Sequence, residues 1–222
     1  ALFENSYEAE KTEFDLEATK VMTGKELGGG EYTFTAREIS ASGAYVGGSN
    51  VLEGTNEAGT LNGEDRYEGN IYLGRIQIDK AGTYYYKIEE KDSSSIKDGV
   101  SYNPSGSIYV VKVVVEDDGH GALAVTSKEY KKFTEQSQIR DLDTLTFDGS
   151  YDKEDVVFEN IYEAEEVSAE FEVEKTLKGR DFREGDTFTF TLRSDALDTP
   201  MPEGSTQDGA SKVKNIQISG SD

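Results

Sequence analysis

Apolar and polar residues alternate with a period of two along most of this chain, and no other feature constrains its fold as strongly. Phe14-Asp15-Leu16-Glu17-Ala18-Thr19-Lys20, Tyr32-Thr33-Phe34-Thr35-Ala36 and Tyr84-Tyr85-Tyr86-Lys87-Ile88-Glu89-Glu90 carry the pattern. So do Tyr109 to Val115, Leu123 to Thr126 and Val156 to Tyr162. Alternation rich in Tyr, Phe, Val and Thr marks half-buried strands. Turn-forming runs separate these segments: Gly28-Gly29-Gly30, Gly47-Gly48, Asn103-Pro104-Ser105-Gly106 and Asp117-Asp118-Gly119-His120-Gly121. The last falls between two strand segments and predicts a hairpin. Helix signals are weak and confined to Ser127 to Gln138. Short strands with frequent turns predict an all-β domain, either a sandwich or a partly closed barrel.

Composition narrows the function. Against 23 Lys and Arg stand 45 Asp and Glu, a formal net charge of −22. Such a surface repels phosphate backbones and anionic lipid headgroups, which argues against nucleic acid and membrane surfaces as partners. Thirteen Tyr and ten Phe supply too much core material for a disordered acidic tail. The absence of Cys excludes disulfides and thiol nucleophiles, and the single His120 leaves no partner for a His-based triad or a His-rich zinc site. No apolar run approaches the ~20 residues of a membrane span, so direct membrane insertion is not expected. Neither a basic-then-apolar leader nor a Leu-Pro-x-Thr-Gly sorting motif is found in these residues.

An internal repeat organises the chain. Phe3-Glu4-Asn5-Ser6-Tyr7 recurs as Phe158-Glu159-Asn160-Ile161-Tyr162, with Asn5 and Asn160 155 positions apart. Leu16-Glu17-Ala18-Thr19-Lys20 recurs as Phe171-Glu172-Val173-Glu174-Lys175, and Lys20 and Lys175 are again 155 apart. Phe34 matches Phe190, and Ile76-Gln77-Ile78 matches Ile216-Gln217-Ile218 at a shorter offset. A fixed period implies a tandem array. The reading is that residues 1–11 hold the closing strand of one repeat and a linker, residues 12–163 a complete repeat, and residues 164–222 the truncated opening of the next.

Residues i, i+2 and i+4 of a strand share a face. Phe14, Leu16 and Ala18 therefore share theirs with Lys20; Tyr84, Tyr86 and Ile88 with Glu90; Val156, Phe158 and Tyr162 with Asn160. Ala169, Phe171 and Val173 repeat the first arrangement with Lys175. Taken singly, each polar residue has an ordinary reading: a lysine snorkelling to solvent, a glutamate at a solvated strand end, an asparagine bonded to nearby backbone. Taken together, three buried polar groups without partners cost several kcal/mol, so they are expected to meet. Burial disfavours charge on both the amine and the carboxyl, and a neutral amine is a nucleophile. Glu90, once protonated, polarises the Asn160 carboxamide and relays protons to its nitrogen. The product is a Lys20–Asn160 isopeptide bond formed with loss of ammonia. The chemistry needs no cofactor and no metal, and turns over once, so the domain is not expected to be an enzyme.

Three elements carry a resemblance to a known family: Leu16-x-Ala18-x-Lys20-x-x-Thr23-Gly24, Gly82-Thr83-Tyr84-x-Tyr86-x-Ile88-x-Glu90 and Phe158-x-Asn160-x-Tyr162. In that order, within one unit of about 150 residues, they resemble the isopeptide-forming pilin and adhesin repeat of Gram-positive surface proteins, as in streptococcal backbone pilins. The resemblance implies an Ig-like, Cna B-type β-sandwich repeated in tandem, with Lys20 and Asn160 crosslinked and Glu90 catalytic. It implies a structural stalk or shaft on the bacterial cell surface, with neighbouring repeats of the same protein as partners. Lys175 and Asn5 are then repeat equivalents without a complete triad within this chain. The rival is an adhesin domain binding a host glycan or protein, with Gly43 to Tyr67 and Thr126 to Gly149 as its candidate loops. Two weaker alternatives are a calcium module around Asp141, Asp143 and Asp148, whose spacing matches no EF-hand loop, and a glycosidase, for which no carboxylate pair stands out.

Overall fold

The computed structural model describes residues 2–4, 7–91, 99–102, 106–164 and 167–220, with the backbone alone at 96–97. Contacts divide the chain into two compact units, Ala1–Glu166 and Val167–Asp222. Among the described residues the protein is all-β apart from a single 3-10 turn at Gln136–Gln138.

Two six-stranded sheets build the first unit. In spatial order the first contains β4 (Thr60–Leu61), β5 (Arg66–Ile78), β1 (Thr12–Thr23), β12 (Val157–Tyr162), β8 (Val100–Ser101) and β7 (Ile96–Lys97). The second contains β11 (Gly149–Ser150), β10 (Leu123–Phe133), β9 (Ile108–Asp117), β6 (Gly82–Glu90), β2 (Thr33–Ile39) and β3 (Val51–Thr55). The alternating residues bury as expected: Phe14, Leu16 and Ala18 from β1, Ile71 and Leu73 from β5, and Phe158 from β12. From the other sheet come Phe34, Ala36, Ile88, Val111, Val113 and Val115. Aromatic rings lock the layers together, Phe158 lying 5.2 Å from both Phe34 and Tyr109, and Phe14 5.7 Å from Tyr86. Such offset and edge-on pairs add to the stabilisation from buried area alone.

The β1–β12 pair is the one parallel ladder among the described residues; its neighbours are antiparallel. Parallel strands cannot be joined by a hairpin, so the intervening chain must cross over. Here that crossover is nearly the whole domain. Before Thr19, where the β12 ladder begins, the free edge of β1 is held by the turn ahead of β12. The Tyr151 hydroxyl accepts from Glu17 N and donates to Glu17 O, both at 2.7 Å. Thr19 N donates to Val156 O, and Thr19 Oγ1 to Lys153 O.

Two expectations change here. Residues 127–133 complete β10, leaving neither a helix nor a loop. The remainder of that segment packs Ile139 and Leu142 against Ile39, Tyr85, Val110 and Phe133 on the outer face of the second sheet. Its apolar residues make it a cover, and half of the proposed binding loop is therefore structural.

In the second unit, β13 (Thr187–Arg193), β14 (Thr206–Asp208) and β15 (Ser211–Ser219) form a three-stranded antiparallel sheet. Phe190 stands opposite Ile216 in the β13–β15 ladder. In the first unit, Phe34 and Ile76 lie in different sheets. Ala169 to Lys175, expected as a strand, forms none: Phe171 and Val173 are exposed. The alternation matches that of β1, but β1 is held between β5 and β12, whereas among the described residues β15 pairs only with β13 and β14. An amphipathic segment without a ladder partner has nowhere to place its backbone hydrogen bonds.

Candidate functional site: a buried lysine, glutamate and asparagine

Lys20, Glu90 and Asn160 converge between the two sheets. Lys20 and Asn160 are fully buried and Glu90 is 4 % exposed. Lys20 Nζ donates to both Glu90 oxygens at 3.1 Å, and Asn160 Nδ2 donates to Glu90 Oε1 at 2.9 Å. Amine and carboxamide thus meet on a single carboxylate. Each arrives from the end of an apolar stripe. Lys20 follows Leu16 and Ala18 on β1, Asn160 follows Phe158 on β12, and Glu90 closes β6 opposite Phe34 of β2. Glu90 acts as acceptor for both nitrogens, whereas the polarising role expected of it requires a protonated, donating carboxyl.

Burial pulls the Lys20 ammonium down from its usual range to about 8, and the charge and hydrogen bonds of Glu90 only partly oppose this. Among the described residues no buried side-chain polar atom lacks a hydrogen-bond partner. The site is buried and satisfied, the condition under which a buried polar network is tolerated.

Two residues that sequence reasoning did not single out complete the surroundings. The Tyr32 ring lies 4.6 Å from Lys20 Nζ, and burial pushes its phenol up to about 12. Asn56, 3 % exposed, accepts from Tyr32 N at 2.9 Å and donates to Gly28 O at 2.7 Å and Glu57 O at 2.8 Å. A signal for Tyr32 existed in the shared face of Tyr32, Phe34 and Ala36; none existed for Asn56, which lies between strands.

The remaining candidates do not join the site. Half-buried Lys175 rests its ammonium 5.0 Å over the Phe188 ring. Asn5 lies outside the described residues. Asp143 accepts from the Tyr85 hydroxyl, and Asp148 from Lys131 and from Lys132 N. Among the described residues no group of three or more His, Cys, Asp or Glu is arranged to hold a metal ion.

An all-β domain closed around a lysine, a glutamate and an asparagine defines a narrow class. The family model for FctA, the Spy0128-like isopeptide containing domain, matches residues 16–163, a span that includes all three. The chain belongs to that family. No curated protein matches it. Among solved structures it is similar to the major pilin from Streptococcus pyogenes, with 16 % identity and a TM-score of 0.42. That match covers 93 % of this chain and 72 % of the pilin. It is also similar to the major pilin protein T-13 from Streptococcus pyogenes serotype GAS131465, with 14 % identity and a TM-score of 0.39, covering 95 % of this chain and 74 % of that one. The family supports a structural, pilin-type role. Among the described residues no helix is long and apolar enough to cross a membrane.

Proposed function

We propose that residues 12–163 form a stalk domain of a bacterial surface pilin or adhesin, rigidified by an autocatalytic Lys20–Asn160 isopeptide bond. The observation that carries this reading is the shared Glu90 oxygen, which accepts from both reacting nitrogens in the buried interior.

Glu90 takes a proton from the Lys20 ammonium, and the freed amine attacks Asn160 Cγ. The C–Nδ2 bond then breaks as the new C–Nζ bond is completed. Of the three ammonium protons, one stays on the new amide, one leaves with Nδ2 as ammonia, and one remains on Glu90. The relay is short because Oε1 is already hydrogen-bonded to both nitrogens. Packing holds amine and amide together, which replaces the large entropic part of a bimolecular barrier.

Lys20 and Asn160 are 140 positions apart in the chain. By analogy with disulfides, closing a loop of this size disfavours unfolding by up to ~5 kcal/mol. Units of this kind in tandem, with residues 1–11 closing one repeat and residues 164–222 opening another, make a thin stalk that needs no Cys and is indifferent to redox conditions. Its acidic surface suits a solvated exterior at the cell wall or in a pilus. The partners in this reading are neighbouring repeats of the same protein. The host-ligand alternative loses support because much of its second loop covers a sheet.

Intact mass tests the proposal. The wild-type chain is expected to be lighter by one ammonia, and Lys20→Ala, Asn160→Ala and Glu90→Ala to have their full masses. A full wild-type mass would falsify it.

A further inference from the structure

The hairpin between β9 and β10 holds the segment that precedes β1, and it does so at two points. The Tyr7 hydroxyl donates to Asp117 Oδ1 at 2.8 Å and accepts from Gly121 N at 2.9 Å. Three residues on, Glu10 N donates to Gly121 O at 2.8 Å, and Glu10 O accepts from Leu123 N at 3.1 Å. Gly121 thus presents both its N–H and its carbonyl to the segment, in a conformation (φ +109°) that favours glycine. The hairpin is also shaped from within. Asp118 Oδ1 accepts from His120 N at 2.7 Å and from Ala122 N at 3.0 Å, and Asp117 Oδ1 from Gly119 N at 2.7 Å.

The bound segment recurs in the chain. Tyr7-Glu8-Ala9-Glu10 is repeated residue for residue as Tyr162-Glu163-Ala164-Glu165, again 155 positions on. At the second occurrence Tyr162 ends β12, two positions beyond Asn160, and its half-buried side chain packs against the core of its own repeat. Tyr7 is 59 % exposed although its hydroxyl is bonded twice. We propose that the β9–β10 hairpin is the surface that receives the preceding repeat, with Tyr7 as the clasp. The Tyr7 ring packs against the repeat it closes, as Tyr162 does, while Asp117 and Gly121 of the following repeat hold its hydroxyl. The inference rests on the tandem stalk reading above and names the surface through which neighbouring repeats meet. Only Glu8 and Ala9 separate the anchor points Tyr7 and Glu10, so the joint has no slack and adjacent repeats take one orientation. Covering the Tyr7 ring also withdraws these hydrogen bonds from water, which strengthens them.

The contact is read first in the chain itself. A hydrogen bond to a charged group is worth enough that losing it speeds local opening roughly tenfold. Tyr7→Phe is expected to raise amide exchange at Glu10 and Gly121 by about that factor, and to leave the amides of β1 and β9 unchanged. Equal exchange at Glu10 and Gly121 in the two chains would overturn the clasp. The joint is read in a chain whose 155-residue period, residues 7–161, is present twice in succession. Because the sequence has no Cys, spin labels can be carried by Gln77→Cys in each repeat, at an exposed position of β5. One narrow distance distribution is expected, and a broad one after Tyr7→Phe at the junction. A broad distribution without that substitution, or a narrow one that survives it, would overturn the proposal. Intact mass of the same samples keeps the two readings apart. Loss of one ammonia per repeat with a broad distribution sinks the clasp alone, whereas full mass with a narrow distribution sinks the isopeptide bond alone.

Discussion

Asn160 lies two positions beyond the residue that faces Lys20: in the parallel β1–β12 ladder Lys20 stands opposite Phe158, and Met22 opposite Asn160. Side chains two apart on a strand share a face, so amine and carboxamide project as diagonal neighbours into the same interior. Because the ladder is parallel, the chain enters at the Thr12 end of β1 and leaves at the opposite end, past Tyr162 of β12. Tension along the chain loads this pair in shear. A covalent bond between Lys20 and Asn160 would lie directly in the path of the load.

Single-molecule stretching, with handles placed outside residues 12 and 163, reads that consequence. The wild-type unit is expected to withhold the segment between positions 20 and 160 at any force that leaves covalent bonds intact. Glu90→Gln, nearly isosteric but unable to relay a proton, is expected to unfold fully. Its 140 freed residues would add roughly 480 Å of contour length. Release of the same length from the wild type would mean that the load does not pass through a crosslink.

The depressed Lys20 pKa makes the uncrosslinked fold sensitive to pH. Its ammonium titrates near 8 in the folded chain and near 10.5 when unfolded. Below about 8 both states are protonated, and the full penalty of burying the charge weighs on the fold. Between about 8 and 10.5 the unfolded state binds more protons, so stability rises with pH across this window, by about 3 kcal/mol in all. Asn160→Ala, which keeps the Lys20–Glu90 pair but cannot crosslink, is expected to gain in melting temperature over that range. Lys20→Met with Asn160→Ala is not. The difference between the two variants cancels other titrating groups, and a flat difference would mean that the amine is not desolvated.

The stripes Phe14-Leu16-Ala18, Tyr86-Ile88 and Val156-Phe158 made the three central residues legible, because period two assigns a face to every side chain. Faces, however, do not identify neighbours. Nothing in the residues announces that β12 lies parallel to β1, a relationship joining positions 140 apart in the chain. Tyr32 shares its face with Phe34 and Ala36, but nothing in that alternation says it reaches Lys20, and Asn56 sits in a connection where no periodicity operates. Residues 169–175 carry the same alternation as β1 yet form no strand, since propensity becomes structure only when a ladder partner is present. The segment after Phe133 read as a loop because its apolar residues are irregularly spaced. They cover the outer face of a sheet without forming a regular element.

Gly24 links the end of β1 to the end of β12. Its φ is +88°, and a Cβ built there would lie 2.2 Å from the Tyr162 carbonyl oxygen. Gly24→Ala must therefore both adopt a strained backbone and push β12 away, two residues beyond Asn160. We expect a loss of about 1–3 kcal/mol, measured by chemical denaturation in the Glu90→Ala background. In the otherwise wild-type chain, time-resolved intact mass should show slower ammonia loss. Unchanged kinetics would indicate that the β12 terminus moves without carrying Asn160 with it.

Lys87 tests whether contact alone is sufficient. Its ammonium lies 3.0 Å from the Gln136 carboxamide oxygen and 3.1 Å from Glu89, with the Tyr45 ring at 4.7 Å. Amine, carboxylate and carboxamide therefore meet a second time, on the outer face of the second sheet. The difference is solvent: the Glu89 side chain is 37 % exposed, and Gln136 lies on an exposed turn. Lys87 itself is buried, so what differs is the exposure of the carboxylate and carboxamide it meets, where water competes for the hydrogen bonds that would polarise the amide. We therefore expect the whole chain to lose one ammonia and not two, and Lys87→Met to leave that deficit unchanged. In a peptide digest, Lys87 should be recovered uncrosslinked while Lys20 is found joined to Asn160. A Lys87–Gln136 crosslinked peptide would mean that proximity, and not burial of the carboxylate and carboxamide, decides which lysine reacts.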